Sequence, residues 1–206
     1  MHKTSCSKDK LMAIRLVKPC REFIASYLEG LAEGTFCNMA LGSFADESAE
    51  EISQNPDQYL SKINDESPRI VAMPDGKEFT VTEHALLWLV DDERYLGSVS
   101  LRFAGDREVI EEFGGHVGVA IRPRLLNKGY GVRAASLAWQ LAGAFFLERG
   151  IKSIYVSCNP ENSPSKRLIE HNGGKLAKEL KDAFGTGPSL IYVIDLSQKA
   201  VRDHGP

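Results

Sequence analysis

The 206-residue sequence predicts an α/β fold in which one mixed sheet carries helices on both faces. Three observations predict it. Helical spacing dominates up to about residue 78, strand-like runs follow, and after the glycines at 129 and 131 helix and strand alternate. Asp91-Asp92-Glu93 separates the apolar run ending in LLWLV from RYLGSVSLRF, as a hairpin turn would. Ala134, Leu137, Ala138, Leu141, Ala142 and Phe145 recur with a helical period and stop at Gly150, which marks a long amphipathic helix.

Taken in order, residues 1–12 read as a polar, frayed leader, and AIRLVK (13–18) as an opening strand ended by Pro19. Phe23, Ile24, Tyr27, Leu28 and Leu31 share one helical face over residues 21–33, with Gly34 as the stop. Residues 35–78 read as one or two short helices and a loop, with Asn55-Pro56 as a helix start and Tyr59, Leu60 and Ile63 as its apolar face. A charged loop (104–113) leads into a strand at GGHVGVAI. IKSIYVSC (151–158) is a buried-type strand, Asn162 or Ser163 caps a short helix, and KLAKEL and SLIYVIDL are closing strands. Without repeats or low-complexity segments, residues 13–200 read as a single domain.

Composition narrows the function. A net charge of −3 gives no global basic field, so nucleic acid is not an expected partner. No run approaches the ~18 apolar residues needed to span a bilayer, so no membrane role is expected. Cys6, Cys20, Cys37 and Cys158 are scattered, which points to a reducing, cytoplasmic setting rather than a disulfide scaffold. No metal-ligand spacing appears.

The chemistry concentrates in GGHVGVAIRPRLLNKGYG (114–131). From Gly114 through Leu147 there is no Asp or Glu, although the chain is net acidic. A helix start offers unpaired N–H groups and partial positive charge, and Gly129 and Gly131 let a ligand approach them closely. The stretch is built to hold a phosphorylated ligand, and Arg122, Arg124, Lys128 and Arg133 are available to neutralise it. It is not a Walker-type loop, because no G-x-x-x-x-G-K precedes Ser or Thr. The dinucleotide pattern G-x-G-x-x-A fits residues 129–134, but seven residues separate it from the strand and no acidic residue stands ~20 positions on at the end of the next strand, Glu161 being farther away.

IRPRLLNKGYGVRAASLAWQLA resembles motif A of the GNAT acetyltransferase superfamily, and NPENSPSKRLIEHNGG resembles motif B. The resemblance runs over about residues 80–196. It implies a mostly antiparallel mixed sheet, acetyl-CoA as co-substrate and no metal. It also implies an amine-bearing acceptor attacked directly in a ternary complex, and a possible homodimer. The pyrophosphate would meet the amides of Asn127, Lys128, Gly129, Tyr130, Gly131 and Val132. The pantetheine arm would pair with the backbone of Val119 and Ile121 and touch Asn162, with Ser165 and Lys166 close behind. Two positions depart from the family pattern: Leu126 replaces a Gln or Arg, and Ile169 stands where many members have a tyrosine that protonates the leaving thiolate. A non-catalytic acyl-CoA sensor with the same fold is the competing reading.

An amine of pKa ~10 must shed a proton before attack. By strand alternation His116 shares a face with Gly118 and Ala120, which suits a base beside an open channel. Glu111 and Glu112 are the substitutes, and the Val119 N–H is the expected oxyanion donor.

Overall fold

The structure is a computed structural model and describes residues 14–34, 48–113, 115–126 and 130–197. The expected leader at 1–12 lies outside them. Its spine is a hairpin of β3 (Glu78–Val90) and β4 (Tyr95–Gly105). Asp91 makes the turn: its Oδ1 accepts the N–H groups of Glu93 and Arg94 at 3.0 and 2.7 Å, and its Oδ2 accepts the Arg94 guanidinium. Burial works against ionisation of this carboxyl, but Arg94 and the two amides outweigh it and hold its pKa below the ordinary value.

The first sheet runs β1-β3-β4-β5, where β1 is Arg15–Val17 and β5 is Val117–Ile121. β2 (Arg69–Ala72) pairs with the other half of β3, and every pairing is antiparallel. On one face Leu87, Leu89, Val99, Leu101 and Val117 pack with Ala138, Trp139, Ala142 and Phe146 of α4 (Tyr130–Glu148). On the other, Trp88, Val90 and Tyr95 meet α1 (Ile24–Ala32), α2 (Ala49–Gln54) and α3 (Pro56–Ile63) through Tyr27, Ile52, Tyr59 and Ile63. The Tyr27 ring stacks on Trp88 with centroids 4.7 Å apart. The second sheet has the order β6-β8-β7, from Ser153–Cys158, Ser189–Asp195 and Lys175–Leu180, with α5 (Ser163–His171) before β7.

Helices on both faces of an antiparallel α/β scaffold are what the sequence implied. Several details differ. The single expected sheet is two sheets. β2 is an extra strand, because RIVA is too short to show a period. The charged loop is largely ordered, since β4 continues to Gly105 and a wide helical turn occupies Glu108–Glu112. On α4 the buried stripe includes Trp139 and Phe146, while Leu141 is only partly covered. The true stripe sits one position round from the expected one.

Candidate active site

The two sheets touch at one seam among the described residues. Gly115 bridges to Val156, and the His116 N–H donates to the Tyr155 carbonyl at 3.1 Å. A Cβ at Gly115 would lie 2.3 Å from the Val109 carbonyl oxygen, so only glycine allows this approach. Past the seam β5 is an edge strand, paired with β4 alone among the described residues. The Arg122 N–H donates to Leu96 of β4. By two-residue alternation Gly118 and Ala120 turn their backbone groups to β4 as well. Those of Val117, Val119 and Ile121 therefore face the open edge.

Next to this edge the chain turns through a short 3-10 segment (Pro123–Leu125) and enters α4 at Tyr130. Tyr130, Gly131 and Val132 form the first helical turn, where N–H groups have no intrahelical partner. No acidic residue lies in that turn. Asn127, Lys128 and Gly129, also expected to bind the pyrophosphate, lie outside the described residues. On the far side Asn162 caps α5, its Oδ1 accepting the Ser165 N–H at 3.1 Å. Lys166 is exposed on the same turn, and its charge reaches the buried thiol of Cys158 at the end of β6.

His116 is not beside an open channel. Its N–H points to β6 while its C=O accepts from Arg102 of β4, so the strand is kinked at this residue and simple alternation fails. The ring is only 5% exposed. It sits 5.6 Å from the Phe146 ring and 5.9 Å from the Tyr155 ring. Its Nδ1 accepts the Tyr155 N–H at 3.1 Å. Burial pushes its pKa down to about 4, against smaller opposing effects of Glu111 and of hydrogen bonds with the Ile110 and Tyr155 backbone. A neutral ring whose bare nitrogen is already filled is a poor proton acceptor. The substitutes lie nearby: Glu111 pairs with Arg107 at 2.8 Å and Glu112 with Lys178 at 3.9 Å. Together with Tyr155, Ala177 and Ile191 they line a cleft of about 210 Å³.

Arg122 and Arg124 are likewise placed elsewhere than expected. The Arg122 side chain is 2% exposed; its Nη2 lies 2.6 Å from Glu33 and 3.2 Å from Glu29 of α1. Arg124 reaches Glu33 at 2.9 Å. These guanidiniums are neutralised by α1 carboxylates and clasp that helix to the β5–α4 connection. The sequence held no local signal for a pairing across about 90 residues. A different feature was legible: Ser98, Ser100 and Arg102 alternate with apolar residues along β4, and all three are buried.

A helix start with N–H groups lacking intrahelical partners, beside a strand edge left unpaired among the described residues, is an arrangement suited to a phosphorylated, amide-bearing carrier. Residues 42–175 match the family model described as an acetyltransferase (GNAT) domain, and the chain belongs to that family. Solved structures share the fold. A spermidine N-acetyltransferase variant from Vibrio cholerae superposes with TM-score 0.55 at 17% identity, over 93% of this chain and 98% of that one. The microcin C7 self-immunity acetyltransferase MccE, in complex with acetyl-CoA and AMP, gives 0.53 at 14% identity, over 88% and 92%. An N-acetyltransferase from Staphylococcus aureus Mu50 gives 0.51 at 13% identity, over 89% and 99%. No curated protein sequence matches the chain. Acetyl-CoA-dependent acetyl transfer is the general activity of this class. No helix of the described residues is long and apolar enough to cross a membrane.

Proposed function

We propose that this chain transfers an acetyl group from acetyl-CoA to an amine by direct attack in a ternary complex. The observation that carries the proposal is the outward-facing backbone of Val119 and Ile121, opening beside the acid-free first turn of α4. An edge strand supplies a row of unpaired N–H and C=O groups, and the pantetheine arm has amides to pair with them. Residues 127–132 would hold the pyrophosphate, and Asn162, Ser165 and Lys166 would flank the arm.

Only this chain's own groups enter the chemistry. The Val119 N–H meets the negative charge that develops on the thioester oxygen, a donor already fixed by the β4–β5 ladder. The amine nitrogen bonds to the carbonyl carbon, the C–S bond breaks, and the sulfur leaves with the electron pair. A thiol of pKa ~8.5 is a fair leaving group without a dedicated acid, consistent with Ile169, buried at 3% exposure, in place of tyrosine. His116 acts here as a positioning residue that closes the seam. The proton leaves the amine to solvent or to the rim carboxylates Glu111 and Glu112.

A second reading, a non-catalytic acyl-CoA sensor, is favoured by the same two facts, the sealed His116 and the apolar Ile169. Following thiol release while acetyl-CoA and an amine panel are mixed with the protein separates the two. Heat on titration with acetyl-CoA but no thiol release with any amine would leave the sensor.

A further inference from the structure

We propose that the acceptor carries a carboxylate, recognised by Arg102 and Ser100 on the face of β4 away from α4. This rests on the transferase reading. Arg102 is 8% exposed, and its guanidinium donates to the Gly115 carbonyl. Among the described residues no carboxylate pairs with it. The groups whose charge reaches it are His84, its cross-strand neighbour on β3, and His116. Burial, first of all, drives both imidazoles toward the neutral form. His84 is further fixed by its Nε2 contact to the Ser67 carbonyl at 2.9 Å. Two residues back on the same strand face, Ser100 is 2% exposed and its Oγ has no hydrogen-bond partner among the described residues.

A buried cation with no counter-charge, and a buried hydroxyl with no partner, among the described residues are each costly to keep. Both are donors, so a single anion would satisfy both. They also lie where an acceptor must sit. Ser100 faces Gly118 across the β4–β5 ladder, one residue from Val119. Gly118 adds no side chain to that face. Arg102 lies three residues along β4 from Val99, the register partner of Val119, or about 10 Å at ~3.3 Å per residue. With the guanidinium held at the Gly115 carbonyl, four residues before Val119, the anion would stand on the order of 10 Å from the attacking nitrogen. That separation fits an ω-amino acid or a similar amine with a carboxylate several bonds away. Burial, the dominant influence, lowers the Arg102 pKa to about 10, so the side chain stays charged at neutral pH.

The test has two arms. Calorimetric titration of acetyl-CoA into the wild type, Arg102→Gln and Arg102→Lys reads the carrier site alone; absence of heat in all three overturns the transferase reading, and the acceptor class with it. Thiol release is then followed with ω-amino acids from glycine to 6-aminohexanoate, the corresponding amides, and spermidine. The expected result is a kcat/KM for one of the acids at least about tenfold above its amide. Arg102→Gln should abolish that preference with acetyl-CoA affinity unchanged. Arg102→Lys, which keeps the charge but not the fork, should retain part of it. Equal use of acids and amides, a preference for spermidine, survival of the preference in Arg102→Gln, or carrier binding without turnover of any amine each overturns the assignment.

Discussion

His116 couples the seam between the sheets to pH, and the size of that coupling follows from its surroundings. Above pH 6.5, its ordinary value, the imidazole is neutral both folded and unfolded. As pH falls toward 4, the unfolded chain takes up the proton while the buried ring refuses it, so the folded state loses ground. Below about 4 both states are protonated and the loss is complete. The interval from 6.5 to about 4, at ~1.4 kcal/mol per pH unit, corresponds to a loss of about 3 kcal/mol. Replacing His116 by Gln removes the titration and keeps a side-chain acceptor for the Tyr155 N–H. Urea denaturation of both proteins from pH 7.5 to 3.5 then isolates the effect. The carboxylates held low, Glu33, Glu51, Asp65 and Asp91, lose their contribution as pH falls through their own folded values, but they do so equally in both proteins. The expected result is a variant less stable at pH 7.5 whose stability falls less steeply between 6.5 and 4, the two curves converging by about 3 kcal/mol. Parallel curves would refute the account of His116 as a ring kept neutral by burial. If the variant also lost catalysis with a shifted pH–rate profile, His116 would be the base after all.

Other perturbations probe the remaining parts. Glu33→Ala should destabilise by about 3 kcal/mol, because it takes the nearest carboxylate from the buried Arg122 guanidinium and leaves it the exposed Glu29. Glu29→Ala, at a side chain 64% exposed, should cost under about 1 kcal/mol; equal losses in denaturation would contradict the clasp. Gly115→Ala places a Cβ against the Val109 backbone and should cost about 1–3 kcal/mol, read as a lowered urea midpoint. Gly131→Val should weaken acetyl-CoA binding at least about tenfold by calorimetry, by crowding the first-turn amides of α4. Unaltered affinity would move the pyrophosphate elsewhere.

Legibility followed the range of the interactions involved. The β3–β4 hairpin, α4, α5 and the two closing strands were readable because their signals are local: a polar turn at Asp91, a helical period, an Asn162 cap. The edge character of β5 was not readable from composition, since which strand lies outermost depends on pairing partners far away in the chain. His116 was misplaced for the same reason. Alternation puts it on the Gly118 face, but Gly115 and Tyr155, forty residues apart, pull the backbone out of register there. Arg122 looked like a phosphate ligand because its neighbours in sequence are basic and glycine-rich. Its actual partners, Glu29 and Glu33, sit on a helix read long before it. Ser98, Ser100 and Arg102 gave a usable sign, polar residues on one face of a buried strand, which strand formation alone does not explain.

The unsealed side of β5 has a consequence for handling the protein. A run of main-chain groups left unpaired among the described residues is a template that any extended segment can join, including one from another copy. A carrier lying along it would act as a surrogate neighbour and blunt that hazard. Preparations kept with coenzyme A should therefore stay dispersed at concentrations and temperatures where the bare protein clumps, a difference that light scattering on heating would register.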